Sequence, residues 1–188
     1  MVDSTCTLNE ELYACKNLDD YIEYENELFD LFLKIYTNDQ LHFKGMPIRL
    51  KYFPPEYSEK SSFYHLTCED FEYSHQETER KPNFERMKRV TWPRKIIECG
   101  NDEKCHHIKI WENSRGNHKN ILILCDDLEY VVVLGKRNNY LLLITAYPLT
   151  RPHRKKTLLK EYENYINANN APFNTKNALS NTPSTRGR

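Results

Sequence analysis

Apolar residues recur along the first forty positions at Leu12, Tyr13, Leu18, Tyr21, Ile22, Leu28, Phe29, Leu31, Phe32 and Ile35. This spacing is closer to the 3.6-residue period of a helix than to alternation. Leu8 to Tyr36 therefore predicts two helices, or one helix broken near Asn17 to Asp20. A short strand is expected over Pro47 to Phe53, then a turn at Pro54-Pro55, then a second strand at Phe63-Tyr64-His65-Leu66-Thr67. Pro82 stands well at the first turn of a helix running to about Thr91, with Phe84, Met87 and Thr91 as its inward stripe, and Pro93 opens a further turn through Glu98. The second half changes period. His107 to Glu112, Asn120 to Cys125, Tyr130 to Leu134 and Tyr140 to Tyr147 are apolar or alternating runs joined by turn-rich links, which favours an antiparallel meander. Lys155 to Asn167 reads as a basic, amphipathic helix, and Ala168 to Arg188 as a disordered tail rich in Asn, Thr, Ser and Pro. The expected fold class is α+β: N-terminal helices, a four-stranded antiparallel sheet, a C-terminal helix and the tail.

At 188 residues, 39% hydrophobic and 29% charged, the chain supports one core rather than two. Three regions follow: an acidic helical stretch at 1–45, a domain at 46–167 that carries the chemistry, and the tail at 168–188. No apolar run approaches the roughly 20 residues of a membrane span, and Met1-Val2-Asp3-Ser4-Thr5-Cys6 lacks the regions of a secretory signal. A cytoplasmic protein without membrane contact is the expectation. The cysteines Cys6, Cys15, Cys68, Cys99, Cys105 and Cys125 are too scattered for a small disulfide scaffold, so free thiols are expected.

The net charge of zero hides a division. Residues 1 to 30 hold nine acids and one base, which leaves 18 acids and 26 bases in the rest. A basic body suits a polyanionic partner, while the acidic helix either shields it or is simply solvated. The basic residues crowd after the His65 run, at Arg80, Lys81, Arg86, Lys88, Arg89, Arg94 and Lys95. A histidine beside fixed positive charge is what metal-independent cleavage of an RNA backbone needs: a proton carrier near neutral pH and cations facing the phosphate. The plainer alternatives are a hydrogen-bonded core histidine and a solvated helix face on which Glu79 and Glu85 pair with the arginines. Seven bases against Glu77, Glu79 and Glu85 still leave an excess. On the His107 strand, alternation sends His107, Lys109 and Trp111 to one face, expected to contact RNA, and Ile108 and Ile110 to the other. On the last strand Thr145 and Tyr147 share a face, with Leu142, Ile144 and Ala146 behind; both types are also ordinary strand residues.

Other constellations are weaker. Cys99, Cys105, His106 and His107 invite a zinc reading, but the five-residue gap is not a knuckle spacing and no matching second pair exists. Asp126, Asp127 and Glu129 are the nearest set for a hydrated metal, yet they belong to a tight turn. With five glycines there is no phosphate-cradling loop. No metal or cofactor is called for.

The string Phe63-Tyr64-His65-Leu66-Thr67, then Asp70-Phe71, His75, Arg80, Arg86-Met87-Lys88-Arg89-Val90 and Trp92, and finally Leu143-Ile144-Thr145-Ala146-Tyr147-Pro148, resembles the phage-encoded branch of the barnase, EndoU, colicin and RelE-like nuclease superfamily. The similarity covers about residues 60 to 150. It implies metal-independent RNA cleavage, tRNA included, by a toxin or phage-borne effector that an antitoxin or immunity protein restrains. The matching positions carried over are His65, Arg80, Arg86, Arg89, Thr145 and Tyr147. The reaction expected is attack of an RNA 2′-OH on the adjacent phosphorus to give a 2′,3′-cyclic phosphate, with His65 as acid/base and Glu98 in reserve. The arginines would face the phosphorane, Thr145 and Tyr147 would position the phosphate, and Lys88, Arg94, Lys95, Lys109 and Trp111 would contact RNA. A non-catalytic RNA- or protein-binding module on a degenerate nuclease fold is the alternative.

Overall fold

The computed structural model describes residues 13–52, 60–70, 80–103 and 105–170. A 3₁₀ turn at Leu18–Asp20, whose first N–H groups Asn17 caps, leads into helix α1 at Tyr21–Thr37. The helix thus starts where the sequence predicts an interruption. Tyr24, Leu28, Phe32 and Tyr36 are its buried stripe, spaced four apart as a helix seated along one line requires. Strands β1 (His42–Phe43) and β2 (Met46–Arg49) form a hairpin through Lys44-Gly45, both at positive φ (48° and 80°), the conformation a two-residue hairpin turn demands.

Helix α2 spans Ser61–Thr67. This corrects the expected His65 strand. Phe63, Leu66 and Thr67 are buried with helical spacing, and Thr67 Oγ1 donates to the Phe63 carbonyl four residues back. A five-residue apolar run carries too little period to separate strand from helix, and packing of Phe63 edge-on against Phe29 and Phe32 of α1 decides it. Strands β3 (Cys68–Asp70) and β4 (Arg80–Pro82) make a separate antiparallel ribbon. The helix expected from Pro82 to Thr91 is only α3, Phe84–Met87, capped by the Asn83 side chain; α4 follows at Trp92–Asn101 with Pro93 in its first turn.

The meander stands as expected: β5 (Ile108–Arg115), β6 (His118–Cys125), β7 (Tyr130–Lys136) and β8 (Leu141–Pro148), closed by α5 at Pro152–Asn170. The sheet is larger and mixed, however. It has six strands in the order β1-β2-β8-β7-β6-β5, and β2 runs parallel to β8. The class is α+β; the purely antiparallel four-stranded sheet is corrected because the early hairpin docks on β8, a pairing that strands of two and four residues do not announce. Both faces are covered. Ile121, Ile123, Val132, Leu134, Leu141, Leu143 and Ala146 share a core with α1, α2 and α4, while Trp111, Leu122, Leu124 and Val131 lie under Leu158 and Tyr162 of α5. That double burial explains the unbroken apolar run of β6.

A bulge interrupts β7 against β8: Val133 faces Thr145 and Leu134 faces Leu143, leaving Ile144 extra. The expected trio Leu142, Ile144 and Ala146 is therefore corrected to Leu141, Leu143 and Ala146, while Thr145 and Tyr147 still share a face. Cys15, Cys68, Cys105 and Cys125 are free, but Cys99 is disulfide-bonded, which corrects the expectation of free thiols throughout. Residues 171–188 of the expected tail, His75 and the Pro54-Pro55 turn lie outside the described residues. Among the described residues no helix is long and apolar enough to cross a membrane.

Candidate functional site

The pairing of β2 with β8 reaches only Leu141 and Leu142. Beyond them α2 packs along β8, and Thr145 Oγ1 donates to the His65 carbonyl at 2.9 Å. About one helical turn later, the Cys68 carbonyl accepts from Arg86 Nη1 at 2.7 Å and from Arg80 Nη2 at 3.3 Å. The Arg86 guanidinium carbon lies 5.3 Å from the centre of the Tyr147 ring, and the Tyr147 hydroxyl accepts from Arg154 Nη2 at 3.0 Å. Arg86, Tyr147 and Arg154 line a cleft of about 540 Å³ together with Glu69, Asp70, Lys81, Asn83 and Arg151. Three elements build it. The β3–β4 ribbon brings Glu69 and Lys81 opposite one another, the Asn83 cap fixes the first turn of α3 and so Arg86, and α5 begins directly after β8 and carries Arg154 back over Tyr147.

Among the described residues that line it, four cations stand against two carboxylates, a positive balance. Of these, Lys81 lies 3.5 Å from Glu69, which also accepts from Asn83 Nδ2 at 2.9 Å, and Asp70 pairs with Arg80 at 3.1 Å. Arg86 pairs with no carboxylate among the described residues. Its burial, and then the neighbouring Arg80, lower its pKa below the ordinary arginine value. Desolvation disfavours the charged form, and among the described residues Tyr130, Glu69 and Tyr147 offset it only in part. The buried Cys68 thiol sits beside both arginines, yet burial outweighs them and pushes its pKa up. A thiol so held is not a nucleophile.

Five of the six residues put forward as catalytic meet along one line of structure. Arg80 and Arg86 share the Cys68 carbonyl, Tyr147 stacks on Arg86, and Thr145 holds the His65 main chain. The His65 imidazole itself does not line the cleft; its Nε2 accepts from the Lys51 ammonium at 2.9 Å. Arg89 stands apart: it donates to the Glu85 carboxylate and lies over Trp92.

The residues expected to touch RNA are also engaged elsewhere. Lys88 pairs with Glu85 at 2.9 Å. Arg94 pairs with Glu98 and donates to the Ile35 carbonyl in the last turn of α1, where a cation complements the helix dipole. Both contacts tie its side chain into the fold. Lys95 is half-buried on α4, away from the cleft. Lys109 and Trp111 do share a face, as alternation requires, but α5 covers it. Trp111 is 1% exposed and packs edge-on against Tyr162, and Lys109 pairs with Asp126, which Lys155 of α5 also reaches. The expectation of an RNA surface there is corrected because the last helix claims that face. The turn acids serve structure too, since Asp127 accepts from the His107 ring.

Sequence reasoning gave no role to Lys51, Glu69, Asn83 or Arg154. A pair of arginines three apart, Arg151 and Arg154, immediately after the Thr-x-Tyr strand was the available signal. Among the described residues no cluster of three His, Cys, Asp or Glu could hold a metal. No family model matches this chain, and neither curated proteins nor solved structures show a significant match to it.

Proposed function

We propose that the protein is a metal-independent endoribonuclease whose phosphate subsite is the Arg86–Tyr147 cleft. The observation that carries this reading is Arg86, a partly buried guanidinium that pairs with no carboxylate among the described residues and lines, with Tyr147 and Arg154, an open cleft. A phosphodiester supplies the missing negative charge, and a planar guanidinium matches its oxygens. In the reaction, a base removes the 2′-OH proton, O2′ attacks phosphorus, the P–O5′ bond breaks, and an acid protonates the departing O5′. Arg86, Arg154 and Lys81 stabilise the phosphorane charge. Glu69 is the carboxylate within the cleft suited to take the proton, and His65, one helical turn before the Cys68 carbonyl, is the second acid/base group. An antitoxin or immunity protein that covers the cleft would complete the system.

One observation favours a second reading, RNA binding without cleavage: the His65 ring is occupied by Lys51 and stands outside the cleft lining. The test is incubation with total RNA and with tRNA in EDTA, beside Arg86→Met, Glu69→Gln and His65→Ala. New 2′,3′-cyclic phosphate ends that vanish with Arg86→Met are expected. Retention of RNA that weakens with salt, with no new ends, establishes the binding module instead.

A further inference from the structure

The other end of β8 carries a second concave surface that the cleavage reading does not use. A groove of about 810 Å³, within the size range of small-ligand sites, lies where β2 pairs with Leu142 of β8. Its walls include Tyr52, Tyr140, Arg49 and Lys51. Tyr52 is 60% exposed, in a protein whose large apolar side chains are otherwise mostly buried. The Arg49 guanidinium carbon lies 4.6 Å from the centre of the Tyr140 ring. An arginine stacked on a tyrosine presents a flat, cationic outer face, and a second, exposed aromatic ring lines the same groove. Both are surfaces on which a nucleobase stacks without regard to its identity. Among the described residues Asp39 is the single carboxylate in the lining, against Arg49 and Lys51.

Hydrogen bonds through the protein link the groove to the cleft. Lys51 lines the groove and donates to His65, His65 receives the Thr145 hydroxyl through its carbonyl, and Thr145 is two residues from Tyr147 in the cleft. Leu142 and Tyr147 are separated by roughly 16 Å of strand, a span that a short run of extended RNA bridges.

We infer that the Tyr52–Tyr140–Arg49 groove is a stacking subsite for unpaired bases of the same RNA strand whose phosphate enters the Arg86 cleft, so that the substrate is single-stranded. This rests on the reading of the cleft as an RNA site. Duplex RNA keeps its bases stacked on one another and has no ring to offer. Tyr52 is the discriminating residue, because its exposed ring can be removed without disturbing the core.

The experiment measures binding of a fluorescein-labelled single-stranded oligouridylate by anisotropy, in EDTA, to the full chain and to Tyr52→Ala, Tyr52→Trp and Arg86→Ala. Thermal melts check that each variant is folded. Tyr52→Ala should weaken binding roughly 5- to 150-fold, the range for loss of one stacked base. Tyr52→Trp should restore it, and the effect of Tyr52→Ala should be absent on a duplex of mixed sequence. If Tyr52→Ala binds the oligonucleotide like the wild type while Arg86→Ala does not, the groove is no base subsite and the reading of the cleft stands. If the wild type fails to bind RNA of either kind, the reading of the cleft falls and this inference falls with it. In that case the exposed tyrosine belongs to a protein contact.

Discussion

Replacing Arg86 by Met separates a ligand-facing charge from a structural strut, because the two roles predict opposite balances of stability and activity. The substitution removes one charge-assisted hydrogen bond to the Cys68 carbonyl, a kind worth about 1.5–3 kcal/mol. It also removes the contact with the Tyr147 ring, worth about 0.5–2 kcal/mol. Two features shrink that loss. Arg80 Nη2 continues to donate to the same carbonyl, so no buried acceptor is orphaned, and the methionine fills most of the same volume against the ring. On the other side stands relief of a desolvation penalty, on the order of a few kcal/mol, for a partly buried cation that pairs with no carboxylate among the described residues, and relief of repulsion from Arg80. The terms nearly cancel. Stability is expected within about 1 kcal/mol of wild type, a shift of roughly 2–4 °C in Tm for a chain of this size. RNA cleavage should fall about 10²- to 10³-fold, as for loss of one preorganised donor to a transition-state charge. Urea unfolding and single-turnover cleavage on the same preparations give both numbers. A loss above about 3 kcal/mol, with activity falling only in proportion to the unfolded fraction, would refute the reasoning and make Arg86 a strut.

Three further outcomes are expected. Trp111→Ala removes a fully buried indole from beneath α5 and should cost about 3–5 kcal/mol in urea unfolding; unchanged stability with weakened RNA binding would restore its place as an RNA contact. Arg94→Ala strips a cation from the C-terminal carbonyls of α1 and should cost about 1–2 kcal/mol with RNA affinity unchanged once folded, as anisotropy would show. Lys109, and then Lys155 against some opposing burial, hold the Asp126 carboxylate below its usual range. A depressed carboxylate contributes stability above its unfolded value, about 3.9, and loses it as pH falls through the lower folded one. Asp126→Asn should therefore be less stable than wild type at neutral pH and converge with it in acid; parallel melting curves at every pH would refute the ion pair's role.

Legibility in the sequence followed the strength of local period. The four meander strands were readable because Asn120 to Cys125 and Tyr130 to Leu134 are long apolar runs between clear turns, and their pairing needed no distant partner. Helix α1 was readable for the same reason, although only Leu28 and Phe32 of its buried stripe were among the apolar positions that carried the period. Phe63 to Thr67 was not, because aromatic and β-branched residues favour strands locally while α1 offered Phe29 and Phe32 to a helix. Trp111 was placed on the correct face of β5 by alternation. What alternation cannot say is whether a later helix covers that face, and α5 does. The basic segment misled in a similar way: its charge excess is real, but Glu85, Glu98 and the carbonyl of Ile35 draw Lys88, Arg89 and Arg94 aside and leave Arg86 facing the cleft.

The cleft exists because β8 outruns its neighbour. An edge of unpaired strand invites pairing with other chains, and proteins cover such edges with helices, loops or charge. Here β2 stops opposite Leu142, and α2 and α3 pack along what remains of β8. A helix lying on an edge meets it by side chains and helix-end carbonyls rather than by a ladder. The His65 and Cys68 carbonyls are therefore turned toward Thr145 and Arg86. The same arrangement explains why His65 contributes its main chain to Thr145 while its ring reaches Lys51. On the reading proposed above, Glu69, which lines the cleft, is first in line for proton transfer, and Glu69→Gln should slow single-turnover cleavage more than His65→Ala does. A larger loss with His65→Ala than with Glu69→Gln, both variants being folded by thermal melt, would reverse that assignment and require α2 to turn its imidazole toward the cleft when RNA binds.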